Sequence, residues 1–248
     1  MSFEEWLNNV YKKANGKPLA PRSIEHYLSG LSIISSEMLV ERVINKPLEE
    51  MDLIELDSAI SVIMETESFK IKDTTGNNMY SNALKKYRCF LFHNTDLEKK
   101  EEEEIEKLKN DKNISTTEKE RLIKARKGQG LFRKRLIEKY NNRCIITDIG
   151  ISQVLVASHI KPWAVSNNEE RLSINNGLLL SATYDRLFDG GLITIKKDGK
   201  IIISNIISKE DLIKLHLRKG QVFDIKYVPE METYLKYHND VIFIGDIK

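Results

Sequence analysis

The sequence predicts an α+β protein in two parts, an all-helical bundle followed by a smaller mixed unit. Three features carry that expectation. Apolar residues recur at three- and four-residue spacings through the first 95 positions, as on one face of a helix. After Asn142 the pattern changes to short β-like runs. Between the two lies LEKKEEEEIEKLKNDKN, from Leu97 to Asn113, which contains almost nothing able to face a core and reads as a solvated helix or flexible linker. The expected division is a helical domain at 1–96, a charged linker at 97–114 and a second domain at 115–248. With 248 residues, 41% of them apolar, the chain is long enough for one large core or two small ones.

Four amphipathic stretches make up the bundle: FEEWLNNVYKK, SIEHYLSGLSIISSEML, DLIELDSAISVIMETESF and NNMYSNALKKYRCFLFH. Ser23 and Asp52 are expected as N-caps, and NGKPLAP and DTTGNN as turns. Trp6, Tyr27, Tyr80 and Tyr87 are read as packing residues of this bundle, with stacking on bases as the alternative. His26 and His93 are read as ordinary surface or core histidines. STTEKERLIKARKGQGLFRKRLIEKY resumes helical periodicity with Ser115 or Thr116 as a cap, broken once at Gly128 and Gly130. RCIIT and QVLVASHI follow as strands, LITIKKDGKIIIS as a hairpin turning at Asp198-Gly199, and PEMETYLKYHNDVIFI as a helix and a last strand.

Composition excludes several classes. No apolar run approaches the ~18 residues a membrane span requires, and the start, MSFEEWLNNVYKK, has acids where a signal peptide carries basic and then apolar regions. A soluble, cytoplasmic protein without membrane partners is expected. Cys89 and Cys144 are too few for a disulfide framework or a four-thiolate site, so no structural zinc is expected and Cys144 is read as packed inside. The formal charge of +2 hides an asymmetry: up to Glu120 there are 17 basic and 23 acidic residues, net −6, and after it 22 and 14, net +8. A basic second part suits a polyanionic partner. Arg121, Lys124, Arg126, Lys127, Arg133, Lys134 and Arg135 concentrate that charge into an arm facing phosphates or, alternatively, a basic helix neutralised by the EEEE run.

The stretch able to do chemistry is LVASHIKPW followed by SINNGLLLSATYDRLFDGGLITI. His159 ends a strand closed by Pro162 and Trp163. An Asn-Asn-Gly turn follows at 175–177, then a short helix whose Asp185 and Asp189, four residues apart, share a face. An imidazole titrates near neutral pH and suits a general base, while paired carboxylates are hard ligands suited to Mg²⁺ or Mn²⁺. The alternative is a buried histidine beside a capped helix.

RKGQGLFRKRLIEKYNNRCIITD, VLVASHIKPW and NNGLLLSATYDRLFDGGLITI together resemble the HNH endonuclease superfamily, in its restriction-type branch. The resemblance covers roughly Lys127 to Ile203 and extends loosely to YLKYHNDVIF. It implies a ββα-metal fold for the second domain, with His159 ending a hairpin strand, Asn176 in the connection and Asp185 on the helix, at the place of the last histidine of the motif's name. It further implies His159 as the base that activates a water, Asn176 as the residue holding the hairpin, and Asp185 as metal ligand. Arg186, Lys161 or Arg143 is expected to clamp a flanking phosphate. Ser158 stands where many members carry a metal-ligating acid or histidine. Asp185 in place of histidine shifts preference toward Mg²⁺. Asp189 is the candidate second ligand, or else a structural carboxylate at the helix end. His216 and His238 lie outside the motif. The implied activity is metal-dependent hydrolysis of double-stranded DNA in restriction or defence, by a homodimer if both strands are cut. A nicking or homing-type nuclease and a non-catalytic DNA-binding or interaction protein on a degenerate HNH scaffold are the alternatives.

Overall fold

The structure is a computed structural model that describes residues 1–11, 13, 17–94, 105–126 and 130–245, without the side chains of 124 and 125. Its first part is built from α1 (Phe3–Asn9), α2 (Pro21–Val40), α3 (Leu53–Glu65), α4 (Glu67–Thr75) and α5 (Met79–Asn94). Asp52 caps α3 as expected: its carboxylate accepts from the amides of Ile54 and Glu55, while Glu55 accepts from the Asp52 amide. Ser23 does not cap α2. That helix starts two residues earlier, because Pro21 is pre-shaped for the first turn and has no amide to satisfy, and Ala20 is its N-cap. Leu7, Ile34, Leu56, Ile60, Ile63, Phe69 and Leu84 are buried in one cluster, with Trp6 and Tyr87 inside it and Tyr27 and Tyr80 packed against it. His26 and His93 are exposed.

The second part contains α6 (Thr116–Arg126), α7 (Leu131–Lys139), β1 (Leu155–His159), α8 (Asn168–Leu172), β2 (Gly177–Ser181), α9 (Ala182–Asp189), β3 (Ile193–Ile195), β4 (Ile201–Ile203), α10 (Lys209–Lys214) and α11 (Glu232–Tyr237). This is an α+β chain, with its strands confined to two small antiparallel pairs. β1 pairs with β2 in the register Leu155↔Ser181 through His159↔Gly177, and α9 follows β2 directly and packs against both strands. β3 and β4 form the hairpin expected at Asp198-Gly199. α7 covers the end of the first hairpin. A Cβ at Gly177 would lie 2.7 Å from Leu136 Cδ1 and 2.8 Å from Phe132 Cζ, so only glycine allows α7 this close to the strand partner of His159.

Three expectations are corrected. RCIIT is a tight turn, not a strand: Cys144 exchanges backbone bonds with Ile149 and Asp148, and its buried Sγ accepts from the Ser181 amide at 3.2 Å. VIFI is not a strand either. Residues His238–Ile242 form a π-helical turn, and Val241, Ile242, Phe243 and Ile244 are all buried, which removes the one-sided alternation of a ladder strand. Finally, the part of the charged stretch that is described has a helix at 105–110 with Ile105 and Leu108 buried, so two apolar residues three apart suffice to dock it.

Segments cross between the expected units and the cores. Leu108 and Leu122 belong to the cluster around Leu178, Leu180 and Phe188, whereas Val241 and Ile242 return to the cluster of the N-terminal helices. No helix among the described residues is long and apolar enough to cross a membrane.

Candidate active site

His159 is the last residue of β1, and its ring is held from three sides. Phe132 of α7 stacks on it at 4.2 Å with 12° between planes, and Trp163 meets it edge-on at 5.4 Å. Nε2 lies 3.0 Å from the Arg171 carbonyl oxygen. A carbonyl only accepts, so Nε2 carries the hydrogen and Nδ1 of the neutral ring carries the lone pair. Burial pulls the His159 pKa down to about 4, against the Arg171 carbonyl that favours the charged ring and with the positive charges of Arg126 and Arg171. At neutral pH the imidazole is therefore unprotonated and able to accept a proton.

Asn176 is fully buried and holds the segment after His159. Its Oδ1 accepts from the Lys161 amide at 2.8 Å, and its Nδ2 donates to the carbonyls of Lys161 and Glu170, both at 3.2 Å. Glu170 precedes Arg171, whose carbonyl orients His159, so Asn176 fixes the acceptor that sets the tautomer. The loop is closed further by Arg171, which donates from Nε to the Trp163 carbonyl at 3.0 Å and lies over the Trp163 ring at 5.0 Å. The Lys161 ammonium is held by both oxygens of Glu170 at 2.7 and 2.8 Å, so this side chain points into the loop's own ion pair.

Asp185 and Asp189 share one face of α9. Burial raises the Asp185 pKa, opposed by the Ser158 hydroxyl and then the Arg186 charge. Burial and then the neighbouring Asp185 raise Asp189, against Arg88, Arg186 and Arg126. Two enclosed carboxylates that repel each other favour a bound cation or a shared proton. Ser158, which pairs with Leu178 in the register, is buried beside Asp185, yet its Oγ has no hydrogen-bond partner among the described residues. Two carboxylates and an unsatisfied hydroxyl are hard oxygen donors, and this set fits Mg²⁺ or Mn²⁺. Among the described residues no group of three or more His, Cys, Asp or Glu side chains is gathered for a metal, so Asp185 and Asp189 would supply a small share of a shell, leaving room for water or phosphate. The positive charge of Arg126 lowers the pKa of both His159 and Asp189.

The remaining basic residues separate into two kinds. Arg133 donates to the carbonyls of Leu155 and Ser152 at 2.7 and 2.8 Å and so braces the start of β1. Arg143 pairs with Asp148. Lys134 and Arg135 are exposed, as is Arg186, whose guanidinium lies 4.6 Å from the Phe92 ring centre. Lys127 lies outside the described residues.

Several contributors escaped the sequence reading. In the sequence Trp163 closes the strand and Phe132 and Arg171 have no role of their own, because their packing around the His159 ring is not written in local spacing. His238 is buried with its ring 3.7 Å from that of Phe188, and its Nε2 donates to the Phe188 carbonyl at 3.0 Å. From the N-terminal bundle, Arg88 reaches the Asp189 carbonyl at 3.2 Å. Only the loose similarity around YLKYHNDVIF pointed toward His238, and nothing pointed toward Arg88.

Residues 144–196 match the family model described as HNH endonuclease. This span runs from the Cys144 turn through β1, β2 and α9 into β4's partner strand β3, and contains His159, Asn176, Asp185 and Asp189. No curated protein matches the chain.

Proposed function

From the HNH endonuclease domain at residues 144–196, a nuclease-type domain, we propose that this chain is a divalent-metal-dependent endonuclease that hydrolyses double-stranded DNA in restriction or defence. The observation that carries the proposal is the Nε2–H bond of His159 to the Arg171 carbonyl, which leaves Nδ1 as a neutral base on the strand against which α9, the helix of the two carboxylates, packs. Nδ1 takes a proton from a water, and the resulting hydroxide attacks the scissile phosphorus. Asn176 keeps the Arg171 carbonyl in register during proton transfer by holding Glu170. Asp185 and Asp189 would hold Mg²⁺ or Mn²⁺. When bound there, the ion supplies charge neutralisation at the phosphate and at the leaving 3′ oxygen. Arg126 and Arg186 supply positive charge at the site's edge, and Lys134 contributes at the exposed face of α7. Lys161 and Arg133 leave the phosphate-contacting set, because each is committed to partners within the protein.

The division into a helical domain at 1–96, a linker at 97–114 and a nuclease domain at 115–248 belongs to the same proposal, as do a cytoplasmic location and a homodimer acting on a two-fold site. The test is nicking of supercoiled plasmid with Mg²⁺ against EDTA. Mg²⁺-dependent relaxation that His159→Ala abolishes supports the reading, and its absence in the wild type sinks it. One observation favours a non-catalytic DNA-binding or interaction protein instead, namely the small donor set around Asp185, with Ser158 in place of an ionisable ligand. That reading predicts DNA binding without any nicking in Mg²⁺ or Mn²⁺.

A further inference from the structure

We propose that Arg88, carried by α5 of the N-terminal bundle, is a positioning residue for the carboxylate pair of α9, so that the bundle is a working part of the metal site. The proposal rests on the nuclease reading above. α9 is only eight residues long, and its last carbonyls need partners from beyond its own turns. The Leu192 amide bonds the Leu187 carbonyl and the Gly191 amide bonds the Phe188 carbonyl, both at 2.8 Å, closing the helix through Gly191 at φ +70°. A Cβ at Gly191 would lie 2.1 Å from the Ile242 oxygen, so the helix end is pressed against the returning C-terminal segment. The Asp189 carbonyl is bonded by Nη1 of Arg88 at 3.2 Å. That guanidinium is itself immobilised: its Nε and Nη2 donate to the two carboxylate oxygens of Asp57 at 2.6 and 3.2 Å, and both side chains are almost wholly buried. The Asp57 carbonyl in turn accepts from the Tyr237 hydroxyl at 3.0 Å.

A buried arginine is costly to desolvate, and an apolar contact would join two units with less sacrifice. What a fork held at two points adds is direction, because its third donor can bond one carbonyl in one place. Here that carbonyl belongs to Asp189, whose side chain shares a helix face with Asp185 one turn earlier. A second contact keeps α5 and α9 in step: the guanidinia of Arg88 and Arg186 lie 5.8 and 4.6 Å from the ring centre of Phe92. Displacement of Arg88 would therefore move the carboxylates together with the helix end, and occupation of the carboxylates would stiffen α5, since coupling between two sites is reciprocal.

The test uses the full-length chain and Mn²⁺. In the wild type, Mn²⁺ is expected to slow amide hydrogen exchange in α9 and in residues 84–92 of α5, and to leave α2 unchanged. Arg88→Lys keeps the charge and loses the fork, and Asp57→Asn keeps the shape and frees it. Each is expected to raise the Mn²⁺ concentration for half-maximal plasmid nicking by about tenfold or more, as losses of outer support around metal ligands do. The rate at saturating Mn²⁺ is expected to recover and the affinity for DNA in EDTA to stay unchanged. A merely structural arginine would lower the melting temperature without moving the Mn²⁺ requirement. Unaltered exchange in α5 on adding Mn²⁺ overturns the proposal and needs no variant, and so does a wild-type Mn²⁺ requirement in both folded variants. Either result leaves the nuclease reading intact, whereas a wild type that neither binds Mn²⁺ nor nicks DNA defeats that reading itself.

Discussion

Two histidines of this chain, His159 and His238, sit in nearly the same surroundings and differ at one atom. Each lies parallel to a phenylalanine ring, Phe132 at 4.2 Å and Phe188 at 3.7 Å, and each donates Nε2–H to a backbone carbonyl at 3.0 Å. Burial pulls both down in pKa, to about 4 and about 3. At His238 the other nitrogen is occupied as well, with Nδ1 2.8 Å from Thr194 Oγ1. A neutral ring that donates through Nε2 must accept there, so the threonine gives its proton to His238 and takes one from the Asn239 amide, 2.6 Å away, with the oxygen and nitrogen of that amide exchanged. At His159 no hydrogen bond to Nδ1 is present among the described residues. Saturation makes His238 a structural bolt, and the unfilled lone pair leaves His159 able to accept a proton.

The sharpest way to break this contrast is to exchange the two roles. His159→Ala should lower plasmid cleavage by ~10²-fold or more with DNA binding in EDTA nearly intact, because it removes proton transfer and few contacts with DNA. His238→Ala should retain cleavage per folded molecule and lose stability by about 2–4 kcal/mol, since it opens a cavity and strands the Phe188 carbonyl and the Thr194 hydroxyl. Rates in gels and melting curves of both variants decide it. Equal cleavage losses in the two would mean that the open Nδ1 is not what distinguishes them.

The same difference separates the buried charges. Arg88 and Asp57 saturate each other, while Asp185 and Asp189 face a shared deficit. Asp185→Asn is expected to reduce turnover nearly to background and to erase the Mg²⁺ dependence. Without divalent ions, Asp189→Asn should melt at a higher temperature than the wild type, because it removes a carboxyl that burial and the neighbouring Asp185 make costly to ionise, and Mg²⁺ should narrow the gap. A lower melting point for Asp189→Asn would make its carboxylate structural.

How much of this was legible follows from what kind of information each residue carries. The placement of His159, Asn176 and Asp185 was legible through a motif whose spacing is imposed by a hairpin and the helix after it, and local geometry of that sort is written in consecutive residues. Asp52 announced its helix because a capping box is three residues long. Arg88 and His238 were not legible as neighbours of α9, since they reach it from 101 and 50 residues away and neither has a local pattern. VIFI misled because buried apolar runs look alike whether they pair in a sheet or wedge between two cores. The internal bonds of Lys161 and Arg133 were not legible, because charge composition does not reveal which cations the protein pairs with its own groups.

A third expected effect lies in pH. Both histidines have folded pKa values below the ordinary 6.5, so each contributes stability that is complete above about 6.5 and is lost as pH falls through its folded value. The raised carboxylates of α9 act with the opposite sign, which is why a comparison within one protein family of variants is cleaner than a single curve. Between pH 4 and 6, where wild-type His238 is neutral in the fold and protonated when unfolded, His238→Gln should flatten the dependence of unfolding free energy on pH by about one proton. Denaturant melts across that range measure it. An unchanged slope would mean that His238 titrates normally and is not closed at both nitrogens.

The smallest expected effect carries the contrast to the surface of α7. Arg133 and Lys134 are adjacent, yet the first spends its guanidinium on the carbonyls of Leu155 and Ser152 and the second is exposed. A phosphate contact releases about one counter-ion, so its removal changes the slope of log affinity against log salt by about one. Lys134→Ala should show that reduction on any DNA sequence, with the melting temperature unmoved. Arg133→Ala should leave the slope alone and lower the melting temperature, because two carbonyls at the start of β1 lose their donors. Binding titrations at several salt concentrations separate the two outcomes. If Arg133→Ala flattens the salt dependence and Lys134→Ala does not, the committed cation is the one that meets the phosphate, and internal hydrogen bonding is no guide to which residues of this helix touch DNA.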